Sequence, residues 1–117
     1  MPGLFATKTM VGVEIDDGEI RGVELEKHQG RLSLGSWGSY PLPDNAVKEG
    51  VILQPEKVGG ALEELWRQEG FKQREIITGV SNQGVLVRFA SFPQVPPEKL
   101  DGVIRFQAQD HLPVPLP

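Results

Sequence analysis

The chain has 117 residues, a formal net charge of −4 and a pI near 5.1. This length fits one domain or one and a fraction. The 14 glycines and 10 prolines indicate a loop-rich α/β protein rather than a helical bundle. An acidic balance argues against a nucleic-acid partner, because no basic surplus is available to displace phosphate counterions. The absence of cysteine excludes a disulfide framework, a thiolate metal site and a cysteine nucleophile.

Neither the N-terminus nor any later segment has the pattern of a targeting or membrane sequence. Met1–Thr9 lacks the apolar core of a signal peptide and is expected to be a mobile lead-in. No apolar run approaches the roughly 18 residues of a transmembrane helix. We therefore expect a soluble, intracellular protein that meets a membrane only through a partner.

The stretch Val11–Leu25 predicts a β-hairpin, because apolar residues alternate with polar or small ones on both sides of a break. That break is Asp16-Asp17-Gly18, and an Asp-Gly pair favours a tight turn in which glycine adopts a positive φ. A second turn at Lys27–Gly30 leads into a third strand, Arg31–Tyr40, where Gly35 and Gly38 allow a bulge or a close approach. The sequence thus predicts a three-stranded antiparallel meander.

After a connector at Asp44–Gln54, a helix is predicted from Pro55 to a C-cap at Gly70. Its apolar residues recur with helical spacing on one face. These residues are Val58, Ala61, Leu62, Leu65 and Trp66. The helix pattern is the clearest one in the chain.

The last part of the chain predicts two more strands and a second helix. Glu75–Val80 and Val85–Phe92 alternate like strands and are separated by the turn-forming run Ser81–Gly84. Glu98–His111 then has helical periodicity, and the prolines after it end the helix. Its buried side is predicted from four residues: Leu100, Val103, Ile104 and Ala108. The order β-β-β followed by α-β-β-α defines an α+β protein.

The hairpin resembles the opening strands of the actin-like ATPase superfamily, and among them the PilM family of type IV pilus assembly proteins. In that family an Asp-x-Gly turn, often followed by Ser or Thr, holds nucleotide phosphate through backbone N–H groups. Here Glu14 stands in place of that Asp, Asp16 in place of Gly, and Asp17 in place of the usual Ser. The resemblance therefore implies the fold together with a degenerate phosphate loop.

A second match lies near the end of the chain. Ile104–Leu116 resembles the PilM signature Arg-Phe-Glu-Ala followed by Pro-(Phe/Tyr)-Pro, with Gln107 replacing its Glu. Gly70–Ile77 and Val85–Pro93 resemble the small inserted subdomain that PilM shares with the cell-division protein FtsA. The resemblance implies a partial first actin-like subdomain at residues 1–45 and an inserted α-β-β-α subdomain at residues 46–117.

The resemblance covers only the N-terminal part of a PilM-like protein. The second phosphate loop, the adenosine-contacting segment and the second large half of the actin-like fold are missing. Two explanations stay open: the chain is a truncated product, or a partner supplies the remainder.

The candidate cofactor residues lie at the hairpin turn: Glu14, Asp16, Asp17 and Gly18. Together with Glu19, the carboxylates are either Mg²⁺ ligands around a nucleotide or a solvated acidic turn, and we favour the second reading. Two extra carboxylates repel phosphate at short range. No cofactor is expected for this chain, and ATP with Mg²⁺ is expected only in a longer form.

No catalytic or metal constellation is evident elsewhere. His28 and His111 are too far apart in the sequence to suggest a metal site, and no serine has a nucleophile-elbow context. The glycines form neither a GxGxxG motif nor a Walker loop. We therefore predict no catalytic residues, no metal ligands and, as far as this chain goes, no enzyme.

The resemblance also implies a partner. In PilM-like proteins a cleft between the first actin-like subdomain and the inserted one accepts the short N-terminal cytoplasmic peptide of PilN, an inner-membrane protein. The residues predicted to bind it are Phe89, Arg105 and Phe106. The leading hypothesis is a non-catalytic scaffold of type IV pilus, secretion or competence assembly at the cytoplasmic face of the inner membrane. There are two alternative functions: an actin-like ATPase completed by motifs outside this chain, and an FtsA-like cell-division adaptor. Oligomer formation also stays open.

Overall fold

The computed structural model describes residues 8–117, which form a mixed α+β structure with a sheet and two helices. The elements are β1 (Lys8–Ile15), β2 (Glu19–His28), β3 (Arg31–Pro41), β4 (Val47–Lys48), β5 (Val51–Ile52), α1 (Pro55–Glu69), β6 (Ile76–Thr78) and α2 (Pro97–Ala108). Most of the predicted lead-in, residues 1–7, lies outside the described residues. Its last two residues, Lys8 and Thr9, already belong to β1.

The predicted meander is confirmed, since β1 pairs antiparallel with β2 and β2 pairs antiparallel with β3. The first turn has the expected Asp-Gly position but not the expected glycine conformation. Ile15 pairs with Ile20, and Asp16 N–H donates to the Glu19 carbonyl at 2.9 Å, so only Asp17 and Gly18 lie between the last bonded residues. Gly18 is not among the residues with positive φ, so the expected positive φ of this glycine was wrong.

The bulge predicted at Gly35 is also confirmed. Val23 pairs with Trp37 but Leu25 pairs with Leu34, so two β3 residues lie opposite Glu24 alone. A Cβ on Gly35 would come within 3.0 Å of Glu24 Oε1. Glycine is therefore what lets the buried carboxylate of Glu24 fit against the third strand.

Helix α1 and the sheet share one hydrophobic core. Val58, Ala61 and Leu65 are buried on the predicted face, and Gly70 ends the helix with φ 67° and donates to the Trp66 carbonyl at 2.9 Å. These helix residues pack with apolar residues of the strands and loops. The other buried members of this core are Val11, Val13, Ile20, Leu42, Ala46, Val47 and Phe71.

The sheet gains a fourth strand that was not expected in this position. Ile76–Thr78, inside the predicted strand Glu75–Val80, pairs parallel with β1, giving the order β3-β2-β1-β6. The predicted strand Val85–Phe92 is absent from the structure, so that prediction was wrong. A strand needs a hydrogen-bonded neighbour, and β6 pairs with β1 instead of with this segment.

The connector Asp44–Gln54 contains a small hairpin that we did not predict. Val47 pairs with Ile52 and Lys48 with Val51, around a two-residue turn at Glu49–Gly50. Both turn residues have positive φ, 50° and 74°. Asn or Asp is the usual first residue of such a turn, so Glu-Gly gave only a weak signal.

The chain falls into two compact units, one ending at Val85 and the other comprising Leu86–Pro117. Helix α2 belongs to the second unit, and it has no buried residue. The prediction that one face of this helix is buried was therefore wrong. Leu100 is 41% exposed and Ile104 is 39% exposed. The subdomain boundary between residues 45 and 46 stays a prediction, although α1 packs on the meander and β6 extends it.

Candidate functional site

A cavity of about 910 Å³ lies in the first unit, beside the turn of the first hairpin. Three loops and the strand ends next to them surround it. The lining residues are Val13, Glu14, Ile15, Asp16, Asp17, Glu49, Gly50, Val51, Ile52, Thr78, Gly79, Val80, Ser81 and Asn82. Three of the four predicted cofactor residues thus share one cavity wall, and Gly18 does not contribute to it.

Arg21 pairs with carboxylates of the acidic turn and offsets part of their charge. Its guanidinium is 3.1 Å from Glu14 Oε2, 3.1 Å from Asp16 Oδ2 and 2.6 Å from Glu19 Oε1. Backbone register explains this, because Arg21 lies directly opposite Glu14 in the antiparallel pair of strands. Three carboxylates considered as Mg²⁺ ligands are therefore already paired with one cation.

Hydrogen bonds and ion pairs shift the pKa values of two side chains in the turn. The N–H of Asp17, and after it the Arg21 guanidinium, lower the pKa of Asp16 below its ordinary value. Hydrogen bonds to Glu19, Glu14 and Asp16, in that order, raise the pKa of Arg21. Our sequence reasoning missed Arg21, although the cross-strand register of the predicted hairpin places it opposite Glu14.

Asp17 points away from this cluster and binds a different loop. Its Oδ2 accepts from Glu49 N–H at 3.1 Å, and its Oδ1 accepts from Gly50 N–H at 3.4 Å. On the other side of that turn, Asn82 Nδ2 donates to the Gly50 carbonyl at 3.2 Å. The residue in the place of the family's phosphate-loop serine thus ties the hairpin to the β4–β5 turn.

The charged residues that line the cavity are all acidic. Glu14, Asp16, Asp17 and Glu49 contribute carboxylates, and no lysine, arginine or histidine is among the lining residues. Within residues 8–117 no group of three or more His, Cys, Asp or Glu side chains is arranged to hold a metal ion. The arrangement is poorly suited to an anionic ligand, because carboxylates repel an anion at short distance and no cation lines this cavity wall to offset them.

The sheet face opposite α1 carries an apolar groove of about 660 Å³. Trp37, Val23, Gly12 and Ile77 lie side by side there, one from each strand of the sheet. Trp37 and Ile77 are each 67% exposed. The bulge explains why Trp37 falls on this face, and why its position broke the alternation in the sequence.

The predicted partner-binding residues lie in the second unit and are exposed. Phe89 is 96% exposed and Phe106 is 76% exposed. Arg105 Nε lies 3.3 Å from Asp101 Oδ2 one helical turn earlier, and both side chains are largely open to solvent. Each of the three side chains is therefore available for contact with another molecule.

The family model of the type IV pilus assembly protein PilM matches residues 12–117. This chain belongs to the PilM family. A solved structure described as a PilM-PilN type IV pilus biogenesis complex has the same fold, with a TM-score of 0.74 and 24% sequence identity. The match covers 91% of this chain and 31% of that PilM-PilN chain, so this chain spans about a third of its length.

Membership of the PilM family confirms the relationship inferred from the hairpin and from the Ile104–Leu116 segment. The protein is a PilM-like type IV pilus assembly protein. Within the described residues, no helix is both long and apolar enough to cross a membrane.

Proposed function

We propose that this PilM-like chain is a non-catalytic docking component of type IV pilus assembly, or of a related secretion or competence system. It would work at the cytoplasmic face of the inner membrane and capture the cytoplasmic tail of a PilN-like protein. The observation that carries the proposal is the family match over residues 12–117. The similar solved structure, described as a PilM-PilN complex, supports the choice of partner.

Docking would use the exposed aromatic surface of Leu86–Pro117. Phe89 and Phe106 offer large exposed apolar side chains, and Arg105 offers a planar cation next to Phe106 in the sequence. Aromatic residues and arginine supply most of the binding energy at protein interfaces. A short peptide therefore gains affinity by covering one of these rings and pairing with the guanidinium.

The arrangement favours a binding role over ATP hydrolysis by this segment. The carboxylates of the hairpin turn are held by Arg21 or by the β4–β5 turn, and the cavity wall has no free cation for phosphate. ATP with Mg²⁺ is therefore proposed only for a longer form. The PilM match also makes us prefer a pilus component to an FtsA-like adaptor.

The test is a titration of the full chain with a fluorescent peptide copied from the cytoplasmic tail of a PilN-like protein of the same genome. We expect saturable binding that weakens about tenfold or more in Phe106→Ala or Phe89→Ala, as for an interface hot spot. Trp37→Ala is the matched control, since it removes an exposed aromatic from the other unit. Binding that is lost in Trp37→Ala but kept in both phenylalanine variants would contradict the assigned residues, and no binding at all would contradict the docking role.

A further inference from the structure

The turn at Glu49–Gly50 is held from three sides within the first unit. Asp17 accepts both of its backbone N–H groups, and Asn82 donates to the Gly50 carbonyl. A Cβ on Gly50 would overlap the carbonyl oxygen of Ser81, so the third loop packs directly against the glycine. We call this arrangement of Asp17, Glu49, Gly50 and Asn82 the clasp.

The turn at the centre of the clasp has a conformation that a glutamate does not favour. Glu49 has φ 50° and Gly50 has φ 74°, and the left-handed region is costly for residues with a Cβ. Two successive amides of a turn that face the same way also form a small anion-binding concavity. Here the anion is supplied by the protein itself, because both amides point to the Asp17 carboxylate.

The surroundings of the clasp determine what else can bind there. Glu14, Asp16 and Glu49 also line the cavity, and Arg21 is directed to Glu14, Asp16 and Glu19 rather than to Asp17. A phosphate entering the cavity would find the Asp17 carboxylate already bound to the two turn amides. Other carboxylates of the cavity wall would lie close by. It would have to displace Asp17 without gaining a cation.

We propose that, in this chain, Asp17 is a resident anion that keeps the cavity in one shape without any ligand and excludes phosphate-bearing ligands from it. The carboxylate takes the two amide donors that an external phosphate would need. It also connects the β1–β2 turn to the β4–β5 turn, which Asn82 connects in turn to the loop after β6. This proposal concerns the first unit and is independent of the docking proposal, which concerns Leu86–Pro117.

The test compares Asp17→Asn with Asp16→Asn in the full chain by amide hydrogen exchange, read out by NMR. The two variants lose the same charge from neighbouring residues of one turn, but only Asp17 accepts from Glu49 and Gly50. We expect the Glu49 and Gly50 amides to exchange about tenfold faster or more in Asp17→Asn, because a hydrogen bond to a charged acceptor is lost. The same amides should be unchanged in Asp16→Asn.

Two results would overturn the proposal. One is unchanged exchange at Glu49 and Gly50 in Asp17→Asn while the β1 amides keep their protection. The other comes from the wild-type chain and does not depend on the variant folding: inorganic phosphate, added to about 10 mM, should leave the Glu49 and Gly50 amide shifts unchanged. A saturable movement of those two signals would show that an external anion competes with Asp17 and is not excluded.

Discussion

The two compact units of this chain contrast in how they treat apolar side chains. The unit ending at Val85 buries its core between α1 and the sheet, with Val11, Ile20 and Leu65 fully enclosed. The unit Leu86–Pro117 leaves Phe89 and Phe106 exposed and has a helix with no buried residue. The first unit thus owes its stability to its own packing, whereas the second presents surface that is suited to contact with another protein.

The largest expected effect comes from removing core volume in the first unit. Leu65 has no exposed surface and lies at the centre of the α1–sheet core, so Leu65→Ala should lower the free energy of unfolding by about 3–5 kcal/mol. Leu100→Ala, in the second unit, removes the same atoms from a side chain that is 41% exposed and should cost about 1 kcal/mol or less. Denaturant unfolding measures both, and equal losses would break the contrast between the units.

A smaller loss is expected at Glu24, the charged side chain that is 3% exposed beneath the bulge. Its Oε2 accepts from Lys72 N–H at 3.2 Å and so ties the chain after α1 to the second strand. Glu24→Ala leaves that amide without its partner and should destabilise the fold by about 1–3 kcal/mol. Glu24→Gln keeps an oxygen acceptor, and chemical denaturation should show a clearly smaller loss. A glutamine variant as unstable as the alanine variant would refute the role of the Lys72 contact.

A gain in stability is expected at two glycines of α1. A Cβ added at Gly59 or Gly60 would meet no atom within 4 Å, and both glycines lie inside the helix. Alanine at either position should therefore raise stability by about 0.5–1 kcal/mol, which calorimetry or denaturant titration would detect. Gly22→Ala is the opposing control, since its Cβ would lie 2.7 Å from the Phe71 ring and should destabilise. A loss of stability in the α1 variants would mean that this helix face is covered.

The smallest expected effect is a pH dependence that comes from the acidic turn. Because the pKa of Asp16 is lowered in the folded chain, its ionised form contributes stability above its ordinary pKa, and that contribution is lost as the pH falls through the lowered value. Asp16→Asn should therefore flatten the dependence of unfolding free energy on pH below about pH 4. Near neutrality the two proteins should differ only by a constant amount that does not depend on pH. Thermal unfolding from pH 2 to pH 7 measures this, and identical acid limbs in the two proteins would contradict it.

Local patterns predicted the elements whose signals are contained within a few residues. The alternation around Asp16-Asp17-Gly18 gave the hairpin, the spacing from Val58 to Trp66 gave α1, and Gly35 marked the bulge. The parallel pairing of β6 with β1 joins residues about 65 positions apart, and no local pattern encodes that choice of neighbour. Val85–Phe92 alternates like a strand, but alternation alone cannot supply a pairing partner.

The candidate site was predictable in part for the same reason. The acidic residues of the turn are adjacent in the sequence, so their clustering was visible. The pairing of Arg21 with Glu14 was predictable, because the strand register of the hairpin places the two residues opposite each other. The contact of Asp17 with Glu49–Gly50 was not predictable from the sequence. It depends on a small hairpin 32 residues away, for which the sequence pattern is weak.

The measurement that tests the central claim most directly is an NMR titration of the full chain with the PilN-like cytoplasmic tail peptide. The docking account predicts that the largest amide shift changes fall within Leu86–Pro117, around Phe89, Arg105 and Phe106. It predicts little change at the Asp17 and Glu49–Gly50 amides. Shift changes concentrated at the cavity or at the Trp37 groove, with the second unit unaffected, would contradict it.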